Sequence, residues 1–175
     1  MQRITSVNHP HFAAIWDLLQ ASFHPTERRD FYSLQCVLKD ERMALLVYEE
    51  GQQVLALAVL WTFEKFDFLE YLAVDATQRA KGYGTLVMKE LLAITKRPFL
   101  LEVQPPTDLL NQKRIYFYQR LGFVLNPYHY FQPPYHKMGE AIPLQIMSSP
   151  NYLNIDNFKQ FTQLMKEEVY EKWYE

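Results

Sequence analysis

The sequence of 175 residues predicts an α/β (α+β) fold, with a mixed central sheet of about seven strands flanked by helices and an added C-terminal helix. Short runs of apolar, β-branched and aromatic residues alternate with segments in which apolar residues recur at helical spacing. One strand–helix–strand series, over residues 68–104, has the order of a parallel crossover, whereas the tight connections before it indicate antiparallel strands. Both strand arrangements together predict a mixed sheet.

Composition limits the class of protein. With 49% hydrophobic residues, the chain can bury the core of one domain, predicted over residues 1–150, with a helical extension over 151–175 packed on it. A net charge of −2 disfavours a nucleic-acid partner. The longest apolar run, residues 54–61, is far shorter than the roughly 20 residues of a membrane span, so no membrane partner is predicted.

The single cysteine, Cys36, lies in an apolar helical pattern and is interpreted as a packing residue, with a nucleophile as the alternative. One cysteine allows no intrachain disulfide, and the N-terminus has no apolar signal region, so the predicted compartment is the cytoplasm. No spacing of His, Cys or Asp suggests a metal site, and none is predicted.

The first half of the chain predicts two helices and an antiparallel meander. The helices are separated by His24-Pro25-Thr26, and Glu49-Glu50-Gly51-Gln52 is the turn of a hairpin. The central strand of the meander is almost continuously apolar, which is typical of a strand buried on both faces. The predicted elements are a strand over 1–7, helices over 11–23 and 27–38, and strands over 42–48, 54–63 and 66–74.

The second half predicts the crossover, a long hairpin and the final helix. Pro98 ends the first helix, Asp108 caps the second and Gly122 terminates it. The apolar face of the final helix either covers its own sheet or pairs with a second subunit, so a homodimer is possible. The predicted elements are a helix over 83–97, a strand over 99–104, a helix over 109–121, strands over 123–131 and 141–147, and a helix within 151–175.

A glycine loop lies between the strand that ends at Val74 and the next helix. The first amides of a helix lack intrahelical partners and carry partial positive charge, so they bind phosphate groups. Gly82 and Gly84 let a ligand approach the backbone closely, and Arg79 and Lys81 add positive charge. The alternative is a plain strand–turn–helix, because neither a Walker loop nor a dinucleotide fingerprint is present.

Three spaced segments are similar to one family. The loop Arg79-Ala80-Lys81-Gly82-Tyr83-Gly84 resembles the R/Q-x-x-G-x-G/A loop of the GNAT superfamily of N-acetyltransferases. Asn111, Tyr118, Gly122 and Phe123 fit the family's N-x(6)-Y-x-x-x-G-F pattern, although Arg114 stands where a small residue is common. Leu101-Glu102-Val103 resembles its acidic strand. The direct resemblance covers residues 68–123, and the order of elements extends it to about residue 147.

This resemblance implies an acyltransferase that moves the acetyl group of acetyl-CoA, as cosubstrate and without a metal, to a primary amine of an unidentified small-molecule acceptor. It also suggests that the connection between the first two helices lines the acceptor pocket. The aromatic hairpin around Tyr130 and Tyr135 could contribute to this pocket or could equally pack against the C-terminal helix. Asn111 could equally be a cap residue. The residues implied for acetyl-CoA binding are Leu72, Ala73, Val74, Arg79, Ala80, Lys81, Gly82, Tyr83, Gly84, Thr85, Asn111 and Tyr118.

Three residues are candidates for catalysis. An alkyl ammonium has a pKa of about 10.4 and must lose a proton before it attacks, and the resemblance makes Glu102 the first candidate base and Glu70 the second. Tyr118 matches the family's general acid, which protonates the departing thiolate. The alternatives are ordinary ion-paired carboxylates and a core tyrosine. A non-catalytic acyl-CoA-binding regulator, or transfer to a protein lysine or N-terminus, are the alternative functions.

Overall fold

The structure, a computed structural model, describes residues 1–51 and 53–174. The predicted turn residue Gln52 and the last residue, Glu175, lie outside this range. The described helices are α1 (Phe12–Ser22), α2 (Phe31–Val37), α3 (Tyr83–Ile94), α4 (Leu109–Gln119) and α5 (Ile155–Met165). The described strands are β1 (Gln2–Ile4), β2 (Met43–Glu50), β3 (Gln53–Thr62), β4 (Asp67–Val74), β5 (Phe99–Val103), β6 (Val124–Leu125), β7 (Tyr130–Gln132) and β8 (Ile142–Ser149).

The strands form one mixed sheet in the order β1-β2-β3-β4-β5-β8-β6, and β7 also pairs with β8. The predicted meander β2-β3-β4 is antiparallel, and β4 and β5 are parallel, as the crossover predicted. The sheet separates two hydrophobic cores. One contains side chains of α1, α2 and α5, and the other contains side chains of α3 and α4. β3 is buried on both faces from Val54 to Trp61, because both cores pack against it.

Four predicted elements are shorter or divided. The strand predicted over 1–7 spans only Gln2–Ile4, and the helix predicted over 83–97 ends at Ile94. The helix predicted over 27–38 begins only after Asp30, because the backbone at Arg28 is extended. The Asp30 carboxylate caps this helix by accepting a hydrogen bond from the Ser33 amide. The strand predicted over 123–131 is split into β6 and β7, and the break begins at Asn126. The Asn126 side chain bonds the backbone of Ile146 and Leu153, which interrupts the regular strand pairing. The sheet therefore has eight strands rather than about seven.

The C-terminal segment packs on its own sheet. The apolar face of α5 is buried in the same core as α1 and α2, and Phe161 stacks on Phe66 with ring centroids 4.5 Å apart. After Met165 the helix widens into a π-turn over Lys166–Tyr170 and ends in a short 3-10 turn. Of the two roles predicted for this face, covering the sheet is the one observed. Among the described residues, no helix is long and apolar enough to cross a membrane.

Candidate active site

The site forms where two parallel strands separate. β4 and β5 pair at Asp67, Phe68 and Leu69, and within the described chain their pairing stops there. Beyond that point β4 continues against β3 and β5 continues against β8. The sheet therefore opens into a wedge, and both Glu70 and Glu102 lie at its base, one residue beyond the last pair.

A β-bulge sets the position of Glu70. In the register of β3 with β4, Val59 pairs with Tyr71 and the next residue, Leu60, pairs with Leu69. Glu70 is thus the extra residue of β4. A bulge bends its strand and re-aims a side chain, which explains why β4 turns away from β5 at this point.

The wedge opens into a main cleft of about 770 Å³ between β4, β5, α3 and α4. Most of the predicted site residues line this cleft. Those that do are Glu70, Leu72, Ala73, Val74, Arg79, Ala80, Gly82, Tyr83, Gly84, Thr85, Glu102 and Tyr118. Lys81 and Asn111 are not among its lining residues. The Lys81 ammonium donates to Gln78, and the Asn111 amide donates to the cap residue Asp108, which was the alternative given for Asn111.

The glycine loop presents the open end of α3 to the cleft. Gly82 precedes the helix with a φ of 91°, a left-handed conformation that favours glycine. The first intrahelical bond runs from the Leu86 amide to the Gly82 carbonyl, so the three preceding helical amides lack intrahelical partners. Gly84 packs against the Phe117 ring, where an added Cβ would lie 3.6 Å from the ring. The loop therefore has the exposed amides that a phosphate group requires.

Tyr118 lies on the wall formed by α4. It is 8% exposed and packs edge-on against Phe117 and Phe123. Among the described residues its hydroxyl has no hydrogen-bond partner. Burial raises the pKa of Tyr118 to about 12, an effect that the nearby Arg114 partly opposes. The phenol is therefore neutral at physiological pH, and its proton is available to a group in the cleft.

Glu102 is held by two tyrosines. The Tyr130 hydroxyl donates to its Oε1, and the Tyr170 hydroxyl lies 2.9 and 2.7 Å from its two carboxylate oxygens. Burial raises the pKa of Glu102 to about 7, while both tyrosines lower it and Glu70 raises it further. At neutral pH the residue is therefore divided between its acid and carboxylate forms, as suits a general base.

Glu70, the second predicted base, is occupied by other partners. One of its oxygens accepts from Arg29 Nε at 2.9 Å and the other accepts from Trp61 Nε1 at 2.6 Å. Its side chain is wholly buried, and Arg29 is only 2% exposed. Both of its carboxylate oxygens are therefore engaged by buried donors of the protein. The geometry thus agrees with the ion-pair alternative for Glu70.

A smaller inner cavity of about 90 Å³ continues from the base of the wedge. Glu70, Glu102, Arg114 and Phe23 line both spaces. The inner cavity has an aromatic and aliphatic wall with a polar rim, at which Gln104 donates to Glu27 at 2.6 Å. Its remaining lining residues are Tyr71, Val103, Gln132, Tyr135 and Leu144. Glu27, from the connection between the first two helices, and Tyr135, after β7, lie where the acceptor pocket was predicted.

Sequence reasoning missed Tyr170 altogether. It lies 68 residues from Glu102 in the chain, and at 3.6 residues per turn it falls off the apolar face of the last helix, so no local signal marks it. Among residues 1–51 and 53–174, no group of three or more His, Cys, Asp or Glu side chains could hold a metal ion.

Comparison with known proteins identifies related sequences and folds. Residues 12–123 match the model of the Acetyltransferase (GNAT) family. YjbC of Bacillus subtilis (strain 168), which is named as an acetyltransferase, is 31% identical over 110 residues, or 62% of this chain and 55% of that protein. The match therefore spans little more than half of that relative.

Solved structures agree in fold. A Bacteroides thetaiotaomicron protein described as a GNAT-family acetyltransferase superposes with a TM-score of 0.89 at 28% identity, covering 97% of both chains. A GNAT acetyltransferase from Elizabethkingia anophelis with acetyl-CoA bound has a TM-score of 0.55 at 14% identity and covers 76% of this chain and 88% of its own, which is a likeness of fold alone.

Proposed function

The chain belongs to the acetyltransferase (GNAT) family and is an acyltransferase, and from this premise we propose that it transfers the acetyl group of acetyl-CoA directly to a primary amine of a small molecule. The observation that carries the proposal is Glu102, a buried carboxyl with a pKa of about 7 that faces both the main cleft and the inner cavity. We also propose a cytoplasmic protein, consistent with the single cysteine.

The residues of the main cleft suit acetyl-CoA. The unpartnered amides at the start of α3, with Arg79 beside them, would hold the pyrophosphate. The backbone of Leu72 and Val74, on the strand edge that β5 leaves free, would hold the amides of the pantetheine arm. When bound, acetyl-CoA brings a thioester carbon to be attacked by the amine, with a C–N bond forming and the C–S bond breaking.

Two side chains of the protein would move the protons. Glu102, as a carboxylate, accepts the proton that the amine loses, directly or through water. Tyr118 donates to the departing sulfur. A free thiol has a pKa of about 8.5, below the pKa of Tyr118, but the burial that raises the pKa of the phenol also raises that of a thiolate beside it. Proton donation of this kind contributes about 10²–10⁴ in rate.

The inner cavity favours a compact acceptor. A 150 Å³ apolar cavity holds benzene, so the 90 Å³ of the inner cavity suits about four non-hydrogen atoms. Phe23, Tyr71, Tyr135 and Leu144 give this cavity an apolar side, and Glu27, Glu102 and Gln132 give it a polar one. A compact amine would fill the cavity, and for that reason we propose a small amine as the acceptor.

Thiol release from acetyl-CoA tests this function. Short alkylamines, amino acid amides, spermidine and a lysine peptide should be compared as acceptors, and the short amines are expected to give the highest kcat/KM. Tyr118→Phe should lower kcat about tenfold or more. Tyr116→Phe, an exposed tyrosine on the same helix, is the matched control and should retain wild-type turnover. Tight acetyl-CoA binding without turnover on any amine would favour a binding protein, and fastest turnover on the peptide would favour a protein acceptor.

A substitution in the glycine loop tests the acetyl-CoA site. Gly82→Ala should raise the Kd for acetyl-CoA about tenfold, because an L-residue with positive φ costs about 1–2 kcal/mol and the loop would relax from its binding conformation. Gly51→Ala imposes the same backbone cost in the β2–β3 turn, where φ is also positive and space is open. Titration calorimetry should find unchanged affinity in the Gly51 variant. Equal affinity in the Gly82 variant would contradict the assignment of this loop.

A further inference from the structure

The C-terminal segment reaches the centre of the active site. Tyr170, at the end of the π-turn after α5, is fully buried and contacts both oxygens of the Glu102 carboxylate. Gln132 Nε2 donates to the Tyr170 hydroxyl at 3.4 Å, which leaves the phenol proton directed to Glu102. Tyr170 lies outside residues 12–123, where the family model matches, whereas its partner Glu102 lies within them.

Several contacts hold Tyr170 in place. The Arg29 guanidinium donates to the carbonyl of the preceding residue, Val169, and the Tyr135 ring packs on Tyr170 with centroids 5.1 Å apart. Outside the core, Arg42 donates to Asp40 and to Glu168 at 2.7 Å each, which ties the segment to the start of β2. The hydroxyl of Tyr170 is therefore fixed relative to the sheet that carries Glu102.

The two carboxylates at the base of the wedge have opposite kinds of partner. Glu70 is paired with a guanidinium, which stabilises its charge. Glu102 has two neutral phenols, which direct its oxygens without neutralising the charge. A cation would stabilise the carboxylate more strongly than the phenols do, so the phenols fix the orientation of Glu102 and offset only part of the rise in pKa that burial causes. The hydroxyls of two half-buried tyrosines, Tyr128 and Tyr174, bond backbone carbonyls instead.

We propose that Tyr170 is a positioning residue for Glu102, and that the C-terminal segment is a working part of the active site rather than an addition packed beside it. The inference rests on the proposed role of Glu102 as the base. Tyr170 orients the carboxylate toward the junction of the main cleft and the inner cavity, where an acceptor amine would lie.

The groups around Glu102 fix the direction of the expected change. Tyr130 and Tyr170 stabilise the carboxylate, whereas burial and the negative Glu70 destabilise it. Arg114 and Glu27 line the adjoining cavities, and the Arg29 charge is bonded to Glu70. Removing the Tyr170 hydroxyl removes a stabilising donor and leaves every other group in place. The pKa of Glu102 should therefore rise.

Tyr170→Phe tests the inference against Tyr174→Phe, a matched control in the same segment whose hydroxyl bonds the Pro134 carbonyl. The Glu102 carboxyl is titrated by carbon NMR, with its resonance assigned by its loss in Glu102→Gln. The Glu102 midpoint should rise by about one pH unit in Tyr170→Phe and not in the control. The pKa of the acid limb of the kcat/KM profile, measured with the amine that turns over fastest, should rise by the same amount. The affinity for acetyl-CoA should be unchanged.

An unchanged Glu102 midpoint in a folded Tyr170→Phe variant would overturn the inference while leaving the proposed function intact. If that variant does not fold, Tyr130→Phe and Tyr170→Met, which removes the hydroxyl without adding volume to the buried site, provide the comparison. A rise in the Glu102 midpoint in the Tyr170→Met variant supports the inference, and a rise limited to Tyr130→Phe contradicts it. Full activity of Glu102→Gln would instead show that the base was misassigned, and the positioning role of Tyr170 would fall with it.

Discussion

Replacing Arg29 with methionine should lower the free energy of unfolding by about 3–5 kcal/mol. The guanidinium is 2% exposed and donates to the Glu70 carboxylate and to the Val169 carbonyl. Methionine fills much of the same volume but has no donor. The variant would leave a buried carboxylate bonded to Trp61 alone and a buried carbonyl without its partner, and both losses destabilise the folded state.

Urea unfolding of the wild type and three variants measures this effect. Arg28→Met is the matched control, because Arg28 is half-buried and lies over the Trp16 ring at 5.0 Å, a contact worth about 0.5–1 kcal/mol. The double variant Arg29→Met/Glu70→Gln removes the unpaired charge and should recover about half of the loss. Similar unfolding free energies for the Arg28 and Arg29 variants would contradict a central role for the buried pair.

The Arg29–Glu70 pair also shows where sequence reasoning was weakest. Glu70 was predicted as a possible base because it precedes the glycine loop on its strand. Its partner, Arg29, lies 41 residues earlier, and the bulge that directs Glu70 toward Arg29 comes from strand register rather than from residue type. Neither the distant partner nor the bulge produces a pattern that can be recognised in the sequence.

Local signals, in contrast, predicted the framework well. The glycine loop, the crossover that follows it and the doubly buried β3 all depend on residues close together in sequence. Pro98 and Gly122 follow their helices closely, since α3 ends at Ile94 and α4 at Gln119, and the backbone chemistry behind both signals operates in any protein. Asn126 is an instructive exception, because its side chain replaces strand pairing with bonds to Ile146 and Leu153, which only the folded hairpin brings near.

The residues of the candidate site fall into the same two groups, those determined by contiguous sequence and those determined by long-range contacts. The cleft-lining residues of the glycine loop and β4 could be predicted because the strand, the loop and the start of the helix are contiguous in sequence. The surroundings of Glu102 could not, since they depend on Tyr130 and Tyr170 from two later elements. Lys81 and Asn111 fit the family pattern, but their side chains bond neighbouring side chains instead. At these two positions a residue of the sequence motif does not line the cleft.

Glu102→Gln should lower kcat/KM by about 10²–10⁴ at pH 8, the contribution of a positioned general base. In the wild type, activity should rise with pH through about 7 as the carboxylate forms. Glutamine has nearly the same shape and cannot accept the proton, so the variant should lose this limb of the profile. Glu70→Gln separates the two candidate bases. Loss of the limb in the Glu70 variant, with its persistence in Glu102→Gln, would assign the base to Glu70.

Glu102→Gln should lower activity but should raise the free energy of unfolding relative to the wild type as pH increases. Because folding raises the pKa of Glu102, its contribution to the free energy of unfolding is fully present below the unfolded pKa of about 4.5 and is lost as pH rises through about 7. Relative to the wild type, Glu102→Gln should gain up to about 3 kcal/mol between pH 4.5 and pH 8. Urea unfolding across this range measures the difference. A variant that loses activity while gaining stability identifies a carboxylate kept for its chemistry, whereas a pH-independent difference would mean that Glu102 is not buried as an acid of raised pKa.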